Sequence, residues 1–177
     1  PGVGKTFIST NLSTIMADTG KKILLIDGDM RKGYLNMILG VNRENGLSEI
    51  ILNNITVEKA THTISQANFD FIATGAIPPN PSELLAAPSF LDLLEDAKSQ
   101  FDIIILDAPP VMQVADSRIL APLVDGSILV VSCETSDRDE VIKAKDQLRL
   151  TGTKILGLVL NRRETRYDKN HYYYAYQ

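Results

Sequence analysis

Short runs of apolar residues alternate with amphipathic segments along most of this chain. Five of these runs predict strands, at residues 23–27, 69–73, 102–107, 127–133 and 154–160. Continuous apolar runs of this length are typical of strands that are buried on both faces of a parallel sheet. Because helical segments separate the strands, the pattern predicts an α/β fold with a doubly wound, mostly parallel sheet and flanking helices.

Apolar residues spaced three and four positions apart predict helices between these strands. In the first helix, residues 6–19, five apolar side chains share one face, and Gly20 follows at the position of a C-capping glycine. These five are Phe7, Ile8, Leu12, Ile15 and Met16. The other predicted helices cover residues 35–39, 47–52, 57–61, 82–86, 88–100, 115–122 and 137–150. An apolar face of this kind ordinarily packs against the core.

The composition is that of an ordinary globular protein. The chain has 177 residues, of which 44% are hydrophobic and 23% are charged, and this length predicts one domain. The net charge of −4 gives no reason to expect nucleic-acid binding, which usually needs a basic face, so we expect no nucleic-acid partner. The single cysteine, Cys133, excludes an intrachain disulfide and fits a reducing compartment. Because Cys133 ends an apolar run, we expect it to be a small core residue and not a reactive thiol.

The closing half of a phosphate-binding loop stands at residues 2–6, Gly-Val-Gly-Lys-Thr. Its glycines let backbone N–H groups approach phosphates, and the following helix adds the positive end of its dipole. In this interpretation Lys5 contacts the β- and γ-phosphates and Thr6 offers a hydroxyl to Mg²⁺. The alternative is a glycine-rich turn before a helix. Because the front of the loop and the strand that feeds it would precede Pro1, we expect this chain to be a fragment that lacks its first strand.

Two acidic motifs directly follow predicted strands. Asp27 and Asp29 stand one residue apart after the first strand, where they can share one cation or one proton. The alternative for this motif is a plain Asp-Gly turn. Asp107 ends the Ile-Ile-Ile-Leu run and would hold Mg²⁺ through water, opposite Thr6. Since ligands of parallel sheets bind beyond the carboxyl ends of the strands, the loop and the two acidic motifs together predict a nucleotide site.

Tyrosine is concentrated at the end of the chain. Five of the six tyrosines fall in the last eleven residues, at Tyr167, Tyr172, Tyr173, Tyr174 and Tyr176. Three successive tyrosines cannot all face a core from one strand, because alternate side chains point to opposite faces. One interpretation is a mobile segment whose hydroxyls accept phosphate. The alternative is a disordered aromatic tail or an adhesive edge strand.

These motifs resemble the bacterial tyrosine kinases of capsule and exopolysaccharide synthesis. Residues 24–31, Leu-Leu-Ile-Asp-Gly-Asp-Met-Arg, match the Walker A′ motif of that family, and residues 104–110, Ile-Ile-Leu-Asp-Ala-Pro-Pro, match its Walker B motif. Residues 78–85 are similar to its linking segment, and the tyrosine tail completes the set. The resemblance covers essentially the whole chain. It implies a P-loop NTPase-like fold, with an ATP-binding kinase domain at residues 1–161 and a tail at residues 162–177.

The resemblance implies ATP-dependent autophosphorylation of the tail tyrosines, in trans between neighbouring subunits, which regulates capsular or exopolysaccharide synthesis and export. Asp27 would be the metal-associated group or the acceptor of the tyrosine proton, with Asp29 in support and Lys5 as the third catalytic residue. Mg²⁺ would be held by Thr6, Asp27 and Asp107. The ATP-binding residues would be Gly2, Val3, Gly4, Lys5 and Thr6.

The resemblance also implies partners: a ring of subunits, a membrane activator that is fused upstream or is a separate chain, and a cognate tyrosine phosphatase. The expected location is the cytoplasm, at the inner face of the membrane, through that activator. Two alternatives stay open. A partition or division-site switch ATPase shares the three motifs in looser form, but the tyrosine tail favours the kinase. The second alternative is a catalytically idle module that only binds nucleotide. The intact set of Asp27, Asp29 and Asp107 argues against it.

Overall fold

The computed structural model describes residues 2–163. The six strands of this part of the chain are β1 (Ile23–Asp27), β2 (Thr61–Ile64), β3 (Phe69–Ile72), β4 (Ile103–Asp107), β5 (Ser127–Ser132) and β6 (Ile155–Asn161). Its α-helices are α1 (Lys5–Asp18), α2 (Leu35–Leu39), α3 (Leu47–Ile51), α4 (Val57–Ala60), α5 (Pro81–Leu85), α6 (Pro88–Gln100), α7 (Asp116–Leu120) and α8 (Arg138–Leu150). A 3₁₀ turn, Ala121–Leu123, follows α7. Within these residues, no helix has the length and apolarity that crossing a membrane would require.

The strand pairing is mostly parallel, as the sequence pattern predicts, and the described strands form two sheets. Four strands are paired in the order β2-β3-β1-β4, and β5 pairs with β6 separately. Strand β1 runs parallel to both β3 and β4, and β5 runs parallel to β6. Strand β2, which the pattern does not predict, is antiparallel to β3. Its sequence, Thr-His-Thr-Ile, lacks a continuous apolar run because β2 lies at the edge of the sheet, where only Ile64 is buried.

Strand β1 lies between two apolar layers, and all of its residues are buried. Leu24 and Ile26 belong to one cluster, which contains the buried residues of α6. Ile23 and Leu25 belong to the other, which contains Ala17 of α1. Alternate side chains of a strand point to opposite faces, so the continuous apolar run fills both layers and fixes β1 inside the sheet.

Helix α1 buries a different face from the one its apolar residues indicate. The buried residues are Thr6, Ser9, Ser13 and Ala17, whereas Phe7 is 63% exposed and Ile15 is 62% exposed. Small side chains allow the helix to lie close to the sheet. The Ser13 hydroxyl donates to the Ser9 carbonyl at 2.9 Å, which satisfies it inside the protein. The expectation from apolar spacing is therefore wrong for this helix.

Cys133 is exposed, so the prediction of a core cysteine is wrong. Strand β5 ends at Ser132, which is buried, and Cys133 is the first residue beyond the strand. Its backbone N–H still donates to the Asn161 carbonyl at 2.9 Å. The apolar run predicted the strand well, but its last side chain lies outside the packed layer.

Candidate functional site

Two buried carboxylates meet at one edge of the sheet. Asp27 and Asp107 are register partners at the ends of the adjacent parallel strands β1 and β4. They are 1% and 6% exposed. Thr6, in the first turn of α1, donates its hydroxyl to Asp107 Oδ2 at 2.6 Å. The structure thus brings together the three residues that the sequence assigns to a metal site, although their role as ligands stays a prediction.

The glycine-rich segment turns into α1 beside this pair. Gly4 is the N-cap of α1 and has a φ of 94°, in the left-handed region that favours glycine. The Asn161 side chain, at the end of β6, donates to the Val3 carbonyl at 2.9 Å. A Cβ on Gly4 would collide with that amide. Asn161 therefore holds the loop, and nothing in the sequence pattern indicates this contact.

Lys5 is the first residue of α1 and lies close enough to influence Asp107. Burial raises the pKa of Asp107, and the Thr6 hydrogen bond and the Lys5 charge oppose this increase. Gly2 precedes Val3 with a φ of 78°. The segment of predicted ATP-binding residues, 2–6, thus lies next to the Asp27 and Asp107 carboxylates in space.

Burial and the negative charge of Asp107 raise the pKa of Asp27 from 3.8 to about 7. Two backbone N–H groups, of Leu35 and Asp29, donate to the Asp27 carboxylate and oppose this increase. Asp27 can therefore hold or release a proton near neutral pH. A carboxylate of this kind is suited to proton transfer or to binding a cation.

Asp29 orders the segment that follows β1. Its Oδ1 accepts the backbone N–H groups of Arg31, at 3.3 Å, and Lys32, at 3.0 Å. Its charge also contributes to the raised pKa values of Asp27 and Asp107, after the larger effect of burial. The structure shows Asp29 as an organiser of this turn, and a catalytic role for it stays a prediction.

An ion pair that the sequence analysis missed lies behind this turn. Arg31 Nε donates to Asp116 Oδ2 at 2.7 Å, and Arg31 Nη2 donates to Asp116 Oδ1 at 3.1 Å. Ser82 of α5 donates to the same Oδ1 at 2.5 Å. Burial would raise the pKa of Asp116, but the hydrogen bonds from Arg31 and Ser82 outweigh it and hold the pKa below its ordinary value. The motif contained Arg31, but no local pattern marks Asp116 as its partner.

The donor set fits Mg²⁺. Carboxylate and hydroxyl oxygens are the ligands this ion prefers, and it usually takes one or two carboxylates and completes its shell with water and phosphate. Asp27, Asp107 and Thr6 offer such a set, and the two buried like charges gain from a cation between them. Across residues 2–163, no group of three or more His, Cys, Asp or Glu residues forms a metal cage. The five tail tyrosines lie outside the described residues.

Gly33 is packed against the carboxylate site. A Cβ on Gly33 would lie 2.3 Å from Thr74 Cγ2, 2.6 Å from Asp27 Oδ2 and 2.7 Å from the Asp29 carbonyl oxygen. Gly33→Ala should therefore displace the Asp27 carboxylate. We expect a loss of stability of about 1–3 kcal/mol and a loss of nucleotide-dependent activity of about 100-fold.

The measurement for Gly33→Ala pairs urea unfolding with nucleotide turnover. Gly157→Ala is the matched control, because a Cβ there would meet nothing within 4 Å. Wild-type turnover in Gly33→Ala would show that the carboxylate does not need its present position.

The known proteins that this chain resembles in sequence belong to one family. A family model described as an AAA domain matches residues 1–142. The chain is 37% identical over 181 residues to the tyrosine-protein kinase Wzc of Salmonella typhimurium. The alignment covers 100% of this chain but 25% of Wzc. The chain is also 34% identical over 175 residues to the tyrosine-protein kinase YwqD of Bacillus subtilis. That alignment covers 99% of this chain and 74% of YwqD.

Solved structures agree with this relationship. The kinase domain of the Escherichia coli tyrosine kinase ETK matches with a TM-score of 0.91 and 35% identity, over 100% of this chain and 69% of that chain. The septum site-determining protein MinD of Pyrococcus horikoshii, complexed with Mg-ADP, matches with a TM-score of 0.73 and 26% identity, over 93% of this chain and 68% of that chain. The fold is therefore P-loop NTPase-like, as the motifs predict. The chain belongs to the bacterial tyrosine-protein kinases of capsular and exopolysaccharide loci.

Proposed function

We propose that residues 1–161 are the ATP-binding catalytic domain of a protein-tyrosine kinase, which phosphorylates its own tail, residues 162–177, in trans. The observation that carries this proposal is the convergence of Thr6, Asp27 and Asp107 at one edge of the sheet, beside a glycine-rich helix start. The kinase names of Wzc and YwqD support it.

ATP is the proposed phosphoryl donor. The backbone of residues 2–6 would surround its phosphates, and Lys5 would place a positive charge on the β- and γ-phosphates. Thr6, Asp107 and Asp27 would hold Mg²⁺, and the bound ion would neutralise the negative charge of the phosphates. The Mg-ADP complex of MinD supports this use of nucleotide and metal in the fold.

Asp27 is the proposed acceptor of the tyrosine proton. A tyrosine hydroxyl has a pKa near 10, so it needs help to lose its proton, and a carboxylate beside Mg²⁺ is a chemically reasonable acceptor. The proton passes to the Asp27 carboxylate while the tyrosine oxygen bonds to the γ-phosphorus. The bond between that phosphorus and the bridging oxygen breaks, and ADP leaves. Asp29 would support this step by positioning the carboxylate, because its backbone N–H donates to Asp27 Oδ1.

The proposal extends to control of capsular or exopolysaccharide synthesis and export. The subunits would form a ring at the inner face of the membrane, with an activator that is fused upstream or separate. A tyrosine phosphatase would remove the tail phosphates by hydrolysis. Each tail phosphate adds about −1.5 to −2 charges, which would weaken docking of the tail in an acidic site and loosen the ring. The net charge of −4 supports the absence of a nucleic-acid partner.

Intact mass of the full-length protein, after incubation with Mg-ATP, tests the proposal. We expect successive gains of about 80 Da, one for each phosphoryl group transferred. These should map to residues 167–176, disappear with phosphatase, and be absent in Asp27→Ala. Release of ADP without a gain in mass would indicate a switch ATPase instead. Neither product would indicate an idle nucleotide-binding module.

A further inference from the structure

The two segments that follow the site's carboxylates leave the sheet at the same edge. The pairing of β1 with β4 ends at Asp27 and Asp107. One more backbone bond follows, from Gly28 N to the Asp107 carbonyl at 2.8 Å. Beyond that point, the segment after β1 and the segment before α7 need other contacts to hold their spacing.

Arg31 and Asp116 provide such a contact. Arg31 lies on the segment after β1, and Asp116 is the first residue of α7, which follows β4. The two hydrogen bonds from Nε and Nη2 form a bidentate pair, the most directional way for a guanidinium to hold a carboxylate. Ser82 adds a third element, since it donates to Asp116 and accepts from Arg31 Nη2 at 3.1 Å. Asp116 is 0% exposed, whereas the Arg31 side chain is 39% exposed, so water can reach the pair from the guanidinium side.

Two hydrogen bonds from backbone N–H groups link the main chain of Arg31 to Asp27. The backbone N–H of Arg31 donates to Asp29 Oδ1 at 3.3 Å. The backbone N–H of Asp29 donates in turn to Asp27 Oδ1 at 3.2 Å. The position of Arg31 is therefore transmitted, through one residue, to the carboxylate that faces Asp107.

We infer that Arg31, Asp116 and Ser82 form a cross-brace that sets the spacing of Asp27 and Asp107 for Mg²⁺-nucleotide binding. Two buried like charges repel, so their separation has to be imposed by the surrounding structure. The three residues touch neither nucleotide nor metal in this role; they are positioning residues. The inference rests on the proposed function only as far as nucleotide and Mg²⁺ binding, and does not require phosphoryl transfer.

The test is the effect of Mg²⁺ on ADP affinity, measured by calorimetry on the full-length protein. The dissociation constant is determined with Mg²⁺ and with EDTA, and the ratio of the two is compared among variants. Arg31→Lys keeps the charge but loses the bidentate geometry, and Asp116→Asn keeps the shape but loses the charge. We expect each to reduce the Mg²⁺ effect about tenfold, with little further reduction in the double variant, because both break one unit.

Arg118→Lys is the matched control. Arg118 lies on the same helix, is exposed, and bonds to Gln147 at 2.9 Å. Its variant should keep the wild-type Mg²⁺ effect. If Arg31→Lys or Asp116→Asn does not fold, Ser82→Ala takes its place, since it leaves the bidentate pair intact. We expect a reduction of the Mg²⁺ effect of about threefold for Ser82→Ala, smaller than the roughly 10-fold typical of such partners.

Urea unfolding of the same variants separates positioning from plain stabilisation. A lower free energy of unfolding with an unchanged Mg²⁺ effect would overturn the inference, as would fully additive losses in the double variant. The inference would also be overturned if the wild-type protein bound ADP with the same affinity in Mg²⁺ and in EDTA. A protein that binds Mg-ADP but transfers no phosphate would defeat the proposed kinase and leave the cross-brace standing.

Discussion

Lys5→Met in the full-length protein is expected to remove tail phosphorylation, with a fall in rate of about 100- to 1000-fold. Lys5 opens α1 next to the glycine-rich loop, and its charge acts on Asp107. In phosphoryl transfer, charge accumulates on the oxygens around the transferred phosphorus, and positioned cations stabilise it. Methionine keeps most of the length of the side chain and removes the positive charge together with its N–H donors.

The measurement for Lys5→Met is the rate of mass gain on the tail, beside the affinity for ATP. Lys98→Met is the control, because Lys98 is an exposed residue of α6 that pairs with Glu95. It should behave as wild type. If Lys5→Met weakens ATP binding but leaves tail phosphorylation at the wild-type rate once ATP is saturating, the proposed role of Lys5 in transfer is wrong.

The second large effect is a dependence of stability on pH that originates at Asp27. The pKa of Asp27 is about 7 in the folded protein, against an ordinary value of 3.8. Between these values the folded protein holds a proton that the unfolded chain releases. The resulting stabilisation is complete below about pH 4 and is lost as the pH rises through 7. A difference of one in pKa is worth about 1.4 kcal/mol, so the loss is on the order of 4 kcal/mol.

Asp107 acts in the same direction, since burial raises its pKa as well. Asp27→Asn removes the titration of Asp27 together with its electrostatic coupling to Asp107. Asparagine stays neutral at every pH, although it leaves one of the two N–H donors, of Leu35 or Asp29, with a poorer acceptor. That cost, about 1–3 kcal/mol, does not vary with pH. The stability of Asp27→Asn relative to wild type should therefore increase between pH 5 and pH 8.

Urea unfolding in EDTA at several pH values measures this difference. The exposed Asp92 of α6 provides the control, and Asp92→Asn should follow wild type throughout. Addition of Mg²⁺ should stabilise the wild type more at pH 8 than at pH 6, because metal and proton compete for the same carboxylates. A constant difference between Asp27→Asn and wild type across this range would falsify the assignment of the titration to Asp27.

Local signals determined the elements whose burial follows directly from their own pattern of apolar residues. Strand β1, residues 23–27, and helix α6, residues 88–100, have the bounds that the pattern predicts. A continuous apolar run indicates a fully buried strand, and a proline at N1 with apolar residues three and four apart indicates a helix. The motifs likewise predicted that Thr6, Asp27 and Asp107 meet, because the ends of adjacent parallel strands share one edge.

Other features depend on which surfaces pack together, and the sequence by itself does not specify them. Helix α1 buries Ser13 and exposes Phe7, because the close approach of helix and sheet favours small side chains over apolar ones. Strand β2 forms through pairing with β3, not through its own composition. The contact of Arg31 with Asp116 exists only because β1 and β4, distant along the chain, are neighbours in the sheet. Periodicity and motifs describe only a few neighbouring residues. Contacts between residues that are distant along the chain depend on the order of the strands, which the tertiary structure alone decides.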